Sequence, residues 1–220
     1  MNLVASCIYS TRASTLFFCM VWGLGACAPL LPQPRATVYD FGPGAVLVAP
    51  ANRMPARPAL VLSDVEASAA LDSTALLYRL AYSDAQQLRP YAQARWSMSP
   101  AQLLRQRLRA QLALHRPVLN AAQGVVAGKP AMNLHLDLDE FSQLFDSVQH
   151  SSGLVRLRAT LGQGGEGLER LLAQRSFVVQ RPATSADAPG GVRALTQATD
   201  ALIEDIELWL EQVEQAQGLK

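Results

Sequence analysis

The sequence predicts an α+β fold, in which an antiparallel or mixed sheet carries two amphipathic helices packed on it. Three observations predict this fold. Apolar and polar residues alternate through several short segments, as they do in half-buried strands. Two longer segments instead repeat apolar residues every three or four positions, which is typical of helices that cover a sheet. All of these segments lie within residues 37–215, a length suited to a single domain.

Several segments before residue 97 are predicted to be strands of one sheet. They are Thr37–Phe41, Ala59–Leu62, the alternating positions Leu76, Tyr78, Leu80 and Tyr82, and the segment from Tyr91 to Trp96. The first strand is followed by Gly42-Pro43-Gly44, which ends it, and by a loop rich in Pro and Ala.

The next segment carries the signals of a helix start. Ser99 can cap the helix, Pro100 suits the first helical position, and Gln102 completes a capping box. Leucines then recur at helical spacing at positions 104, 108 and 112. These signals predict a first helix over Pro100–Leu114.

Residues 131–181 are predicted to form an antiparallel meander of three strands. The apolar alternation that begins at Met132 slips in phase after Leu138, which indicates a bulge or bend. Ser151-Ser152-Gly153 and the glycines of Gly162–Gly167 are expected to form the turns. The predicted inward faces of the second and third strands are Val155, Leu157, Ala159 and Leu161, and Leu171, Ala173, Phe177 and Val179.

The chain ends in a long amphipathic pattern. Its apolar stripe consists of Val192, Leu195, Thr199, Leu202, Ile206, Trp209 and Val213. Acidic residues lie elsewhere around the helix axis. The stripe is long enough for a coiled coil, but we expect it to cover the sheet.

The N-terminal segment resembles a bacterial lipoprotein signal. Leu24-Gly25-Ala26-Cys27 closes an apolar run with two small residues and a thiol, as a lipobox does. We therefore predict a signal peptide over residues 1–26 and lipid attachment, including palmitate, at Cys27. Simple secretion and an uncleaved membrane anchor are the alternatives. Residues 27–36 are rich in proline and are predicted to form an extended tether.

Charge and cysteine content narrow the classes of function. The chain has 19 Lys and Arg and 18 Asp and Glu, and Arg12 is the only charge in the predicted leader. A balanced charge of this kind does not favour nucleic-acid binding. Cys27 is the one cysteine outside the leader, which excludes an intramolecular disulfide and a cysteine-rich metal site from the mature chain.

Two short patterns could suggest a dinucleotide-binding site and a metal site, but each has a simpler explanation. Gly162–Gly167 matches G-x-G-x-x-G, although a strand-like segment follows where a dinucleotide fold needs a helix. His135, Asp137 and Asp139 share a strand face, but no further ligand cluster is evident, and a solvent-facing polar surface is favoured. No catalytic motif of a hydrolase or a nucleotide-binding enzyme occurs, so we expect no catalytic, cofactor or metal site.

The arrangement of charge suggests an interaction surface. No acidic residue lies between Asp84 and Asp137, whereas six arginines do. In the simpler interpretation these arginines compensate the acidic terminal helix beside them. In the alternative, Arg105 and Arg109, one helical turn apart, are candidate contacts for an acidic partner surface, a neighbouring protomer or anionic head groups. Trp96 and Trp209 are expected in the core.

The order of these motifs resembles that of a known family. A lipobox, a Pro-rich tether, Tyr78-Arg79-Leu80, Ala94-Arg95-Trp96 before a Ser-Pro helix start, an Arg-flanked meander and a terminal helix closing on Trp209-Leu210 occur in one chain. On these features the chain is similar to the ABC-type transport auxiliary lipoproteins, the PqiC-like proteins that accompany MCE (MlaD-like) proteins. The resemblance covers the chain from about Tyr39 to Leu210.

The resemblance implies a function that the residues alone do not give. It implies a non-enzymatic, periplasm-facing lipoprotein of an intermembrane lipid transport system that maintains membrane integrity. The implied partners are an MCE-domain protein and an ABC permease and ATPase, and self-association is compatible with the family. By analogy with other lipoproteins, Ala28 after the lipidated cysteine implies the outer membrane. A lipid-binding carrier and an outer-membrane assembly or structural lipoprotein are the alternative functions.

Overall fold

A mixed eight-stranded sheet with helices on it forms the body of the protein. The computed structural model describes residues 35–44, 57–120, 125–126, 129–164 and 170–218. Its strands are β1 (Thr37–Tyr39), β2 (Leu60–Ala67), β3 (Ala75–Leu80), β4 (Ala85–Trp96), β5 (Val118–Leu119), β6 (Val125–Val126), β7 (Lys129–Pro130), β8 (Met132–Phe145), β9 (Ser151–Gln163) and β10 (Arg170–Pro182). Its helices are α1 (Ala81–Asp84), α2 (Pro100–Leu112) and α3 (Ala188–Ala216).

Strand β8 organises the sheet because it pairs along both of its edges. One edge pairs antiparallel with β9 over its whole length, and β9 pairs antiparallel with β10. The other edge pairs in parallel with β2 along its first half and with β3 along its second half. Strand β5 extends the sheet beyond β2, whereas β4 and then β1 extend it beyond β3. The predicted α+β class is confirmed, with the sheet mixed rather than wholly antiparallel. Strands β6 and β7 pair separately.

The alternation in the meander separates a buried face from a polar face. Leu134 and Leu136 in β8 are at most 1% exposed, and all four predicted inward residues of β9 are fully buried. The register between β8 and β9 shifts between Leu138 and Glu140, which confirms the bulge predicted from the slip in apolar phase.

Both long helices pack on the buried face. The predicted capping box of α2 is confirmed, because the Ser99 hydroxyl accepts from the Gln102 amide and the Gln102 side chain accepts from the Ser99 amide. Helix α2 lies on β2, and α3 lies on β8, β9 and β10. Six of the seven predicted stripe residues of α3 are buried, so the stripe covers the sheet as expected.

Three sequence predictions in the first half of the domain need correction. Tyr82 lies in α1, a single helical turn, and is 48% exposed, so it does not continue the strand face that includes Leu76. With this turn, the described part of the chain has three helices rather than the two predicted. Helix α2 ends at Leu112 rather than Leu114, because the two residues after it form a turn.

Two further predictions fail in the meander. Ser151-Ser152-Gly153 begins β9 instead of forming the turn, which lies at residues 146–150. Leu171 is 63% exposed rather than inward, because a register shift between Leu171 and Ala173 changes the phase of β10. Phe177 and Val179, beyond the shift, are buried as predicted.

Helix α3 approaches the sheet most closely where β9 has a glycine. A Cβ atom built on Gly153 would lie 2.5 Å from both the carbonyl carbon of Ala194 and the amide nitrogen of Leu195. Both are backbone atoms of α3, so the helix itself would have to move away. The absence of a side chain at Gly153 therefore sets the distance between helix and sheet.

We expect Gly153→Ala to lower the free energy of unfolding by about 1–3 kcal/mol, the usual cost of overpacking a core. Urea unfolding of the wild-type and variant chains would measure this. Gly164→Ala is the matched control, because a Cβ there would have its nearest neighbour at 3.7 Å, an ordinary contact. Equal stability of the two variants would contradict the close approach of α3.

Candidate interaction surface

Arg105 and Arg109, the predicted partner contacts, line a common groove on the surface of the domain. The groove lies between α2 and β2 and has a volume of about 530 Å³. Gln102 and Gln106 add amide groups from α2, and Met98 adds an apolar wall. Apolar surface beside a few convergent polar groups is typical of a binding groove.

The two arginines are held in the groove by contacts to neighbouring polar groups. Arg105 donates from Nε to the Ser63 carbonyl oxygen at 3.2 Å, and its Nη1 lies 3.2 Å from Asp64 Oδ1. The Asp64 side chain is 90% exposed, and such a surface ion pair is worth little. Arg109 bonds to the Asn120 side chain and to the Val118 carbonyl oxygen.

The groove can therefore accept an anionic group from outside. Within the described ranges, Arg109 has no acidic partner, so its charge is not compensated by an ion pair. Asp64 and Asp72 also line the groove. Their carboxylates would repel an anionic group placed beside them, so the ligand's charge would have to lie near the arginines. Guanidinium groups bind carboxylates and phosphates through paired hydrogen bonds.

Two other arginines of the basic stretch bind the terminal helix. Arg107 makes two hydrogen bonds with the Asp200 carboxylate, at 2.9 and 3.1 Å. Arg116 pairs with Glu214, and both side chains are buried. The predicted charge compensation between α2 and α3 is thus confirmed for Arg107, and Arg116 extends it from the turn after α2. Arg105 and Arg109 lie outside it.

Two groups away from the groove have raised pKa values that burial explains. Burial raises the pKa of Tyr91 to about 12, and its hydroxyl donates to Gln143 Oε1 at 2.8 Å. Burial also raises the pKa of Glu207, while His115 and Arg116 oppose the shift. In both groups burial is the largest cause of the shift.

The predicted polar strand face is confirmed at His135 and Asp139, which are both exposed. Arg158 of the neighbouring strand lies 3.4 Å from Asp137 and 3.8 Å from Asp139. In the part of the chain that the structure describes, no group of three or more His, Cys, Asp or Glu side chains could hold a metal ion.

The glycine-rich segment after residue 161 connects β9 and β10. These strands pair antiparallel, with Arg170 opposite Gln163, so the predicted hairpin connection is confirmed. Among the described residues on either side of this connection, none begins a helix that could receive a pyrophosphate. Gly165 to Gly167 lie outside the described residues.

Apolar side chains of the described helices and strands are buried between the helices and the sheet. Trp96 and Trp209 are 1% and 5% exposed, which confirms their predicted place in the core. Leu104 and Leu108 from α2, and Leu202 from α3, are fully buried. These residues belong to one continuous apolar cluster with the inward side chains of the sheet.

The predicted leader over residues 1–26, Cys27 and most of the 27–36 tether lie outside the described residues. Among the helices that are described, none combines the length and apolar character needed to span a bilayer.

These features define a class: an α+β domain with helices on one sheet face and a polar, arginine-lined groove beside α2. The chain belongs to the ABC-type transport auxiliary lipoprotein component family, whose model matches residues 39–207. The resemblance inferred from motif order is confirmed by this match.

Solved structures show the same fold at low sequence identity. A protein of Xanthomonas campestris is 20% identical, with a TM-score of 0.68, and the match covers 84% of this chain and 100% of that one. A hypothetical protein of Chlamydia trachomatis is 10% identical, with a TM-score of 0.50, over 71% of this chain and 96% of that one. No protein of curated function matches this sequence.

Proposed function

We propose that the protein is the lipid-anchored auxiliary component of an ABC-type intermembrane lipid transport system. In this proposal Cys27 carries the lipid, and the domain faces the periplasm, at the outer membrane. It acts by binding protein partners, an MCE-domain protein and the ABC permease and ATPase, and not by catalysis. The observation that carries the proposal is the family match over residues 39–207.

The packing of the domain supports an adaptor rather than a lipid carrier. A carrier needs an apolar cavity that can hold an acyl chain, whereas the described side chains between helices and sheet belong to one continuous buried cluster. The accessible chemistry lies on the surface instead. We therefore assign Arg105 and Arg109 as contacts for an acidic surface of the MCE partner.

Reversing both charges tests this assignment. We expect Arg105→Glu/Arg109→Glu to weaken binding to the MCE-domain protein at least tenfold at low salt, because attraction becomes repulsion across the groove. The measurement is a pull-down of the full-length lipoprotein from membranes, followed by a binding titration. The loss should shrink as salt rises.

Arg95→Glu is the matched control. Arg95 is an exposed arginine on β4, which does not line the groove, and we expect its reversal to leave the affinity unchanged. Wild-type affinity of the double variant would exclude the groove as the contact. Failure of the wild-type chain to capture any MCE, permease or ATPase protein would instead overturn the proposed function itself.

A further inference from the structure

The open edge of strand β10 has the features of a second interaction surface. Within the described ranges, β10 pairs with β9 and with no other strand, although it is 13 residues long. It lies at the opposite end of the sheet from β5, beyond β9. A long unpaired edge exposes main-chain donors and acceptors that another strand can use.

The hydrogen-bond pattern identifies which residues present those groups. The Ala183 amide donates to the Ser151 carbonyl oxygen, which lies directly opposite it in the continued register. Antiparallel pairs alternate between hydrogen-bonded and non-hydrogen-bonded. The main-chain groups of Ser176, Val178 and Gln180 therefore point away from β9, toward the open edge.

Proline at position 182 agrees with this assignment. Counting from Ala183, Pro182 falls at a position whose main chain faces the open edge, so its missing N–H removes no bond to β9. The four open-edge positions before it, at 174, 176, 178 and 180, carry no proline, and their N–H groups remain available.

The charge on this strand indicates what can bind. Strand β10 contains Arg170, Arg175 and Arg181 and no acidic residue. All three arginines are exposed, and none forms an ion pair with another described residue. Arg175 lies over the Phe177 ring, 4.9 Å from its centroid, and Arg181 donates to the adjacent Gln180 carbonyl oxygen.

We propose that an extended, acidic segment of a partner protein adds to the open edge of β10 as a further strand. Main-chain hydrogen bonds would give affinity, and carboxylates beside Arg175 and Arg181 would give specificity. Val178, which is 61% exposed, offers an apolar contact on the outer face. This goes beyond the proposed function, because it concerns the sheet edge remote from the α2 groove and does not depend on the transport system.

The same charges disfavour a second copy of this chain as the occupant. Two β10 strands side by side would bring arginines together, and like charges across a strand pair are destabilising. An acidic strand replaces this repulsion with attraction. Charge complementarity therefore selects a heterologous partner.

The test uses the full chain in detergent micelles and a synthetic peptide of alternating Glu and Val as the probe. We expect the peptide to bind at low salt and to protect the amides of Ser176, Val178 and Gln180 from hydrogen exchange. Val178→Pro removes one open-edge N–H while leaving the ladder to β9 intact, and we expect it to weaken binding at least tenfold.

Arg175→Glu/Arg181→Glu is the second variant, because it keeps every main-chain group and does not depend on how proline is tolerated. We expect at least a tenfold loss of peptide binding from it, with Arg95→Glu unchanged. Peptide affinity unaffected by both variants would overturn the proposal. Protection of the open-edge amides before peptide is added would also overturn it, since the edge would then be occupied by this chain or by a second copy.

Discussion

Replacement of Cys27 by serine is expected to leave the chain without lipid and to remove it from the membrane fraction. A cysteine sulfur is a far better nucleophile than a serine hydroxyl, and in the predicted lipobox Cys27 is the residue that would receive a diacylglyceryl group. Stable anchoring takes more than one acyl chain, so loss of the modified residue removes the whole anchor. Cell fractionation with incorporation of labelled palmitate would measure the loss, which we expect to be nearly complete.

The chain offers two matched controls for this experiment. Cys7 and Cys19 precede the predicted cleavage site, and Phe18 makes Cys19 unsuitable as a competing site. We expect Cys7→Ser and Cys19→Ser to keep wild-type lipidation and membrane attachment. Normal processing and membrane attachment of the Cys27 variant would show that the anchor prediction is wrong. Membrane attachment of both the wild-type and the variant chain with the leader retained would favour an uncleaved N-terminal anchor.

Local sequence signals were sufficient to predict those elements whose structure is determined by a single segment of the chain. The capping box at Ser99 begins α2 at the predicted residue. The change of apolar phase after Leu138 marks a bulge in β8, because the side-chain period of a strand is two. The stripe of α3 likewise identifies the helix face that covers the sheet.

Long-range pairing could not be predicted in the same way. That β2 and β3 share one edge of β8, each in parallel, depends on which segments meet in space. The exposure of Leu171 has the same origin, since its phase is set by the register with β9. The open edge of β10 is also a property of strand order, which no local pattern records.

The candidate groove was predictable in part. The spacing of Arg105 and Arg109 places them one turn apart, and both do line one groove. Their partners Asp64 and Asn120 come from other elements, so the strength of each contact could not be judged from sequence. The sequence pattern of α3 placed its acidic residues away from the apolar stripe and so did not predict that Glu214 is buried. Glu214 lies four residues after the buried Leu210.

Arg116→Met is expected to lower the free energy of unfolding by about 3–5 kcal/mol, the usual cost of leaving a buried charge without its partner. The Arg116 side chain is 1% exposed and the Glu214 side chain 8%. This pair joins the end of α3 to the turn after α2. Removing the guanidinium leaves the Glu214 carboxylate away from water, and urea unfolding would measure the loss.

A double replacement separates the cost of a lone charge from the value of the pair. We expect Arg116→Met/Glu214→Leu to recover most of the lost stability, since replacing a buried pair by apolar side chains of similar volume is often neutral or stabilising. Arg57→Met is the matched control, because Arg57 pairs with a residue near the same end of α3. Arg57 pairs with Glu211 at 2.7 Å, but both side chains are about one-third exposed, so its loss should cost at most about 1 kcal/mol.

The comparison of these variants distinguishes burial from charge alone. If Arg116→Met cost no more than Arg57→Met, the Arg116–Glu214 pair would have to be solvated, and the end of α3 would not be closed against the turn after α2. A large loss of stability in Arg116→Met, with recovery in the double variant, requires that the pair is buried and that the end of α3 is closed against the turn after α2. In that case the pair fixes where α3 ends on the domain at little net gain in stability, because each charge is retained chiefly to satisfy the other.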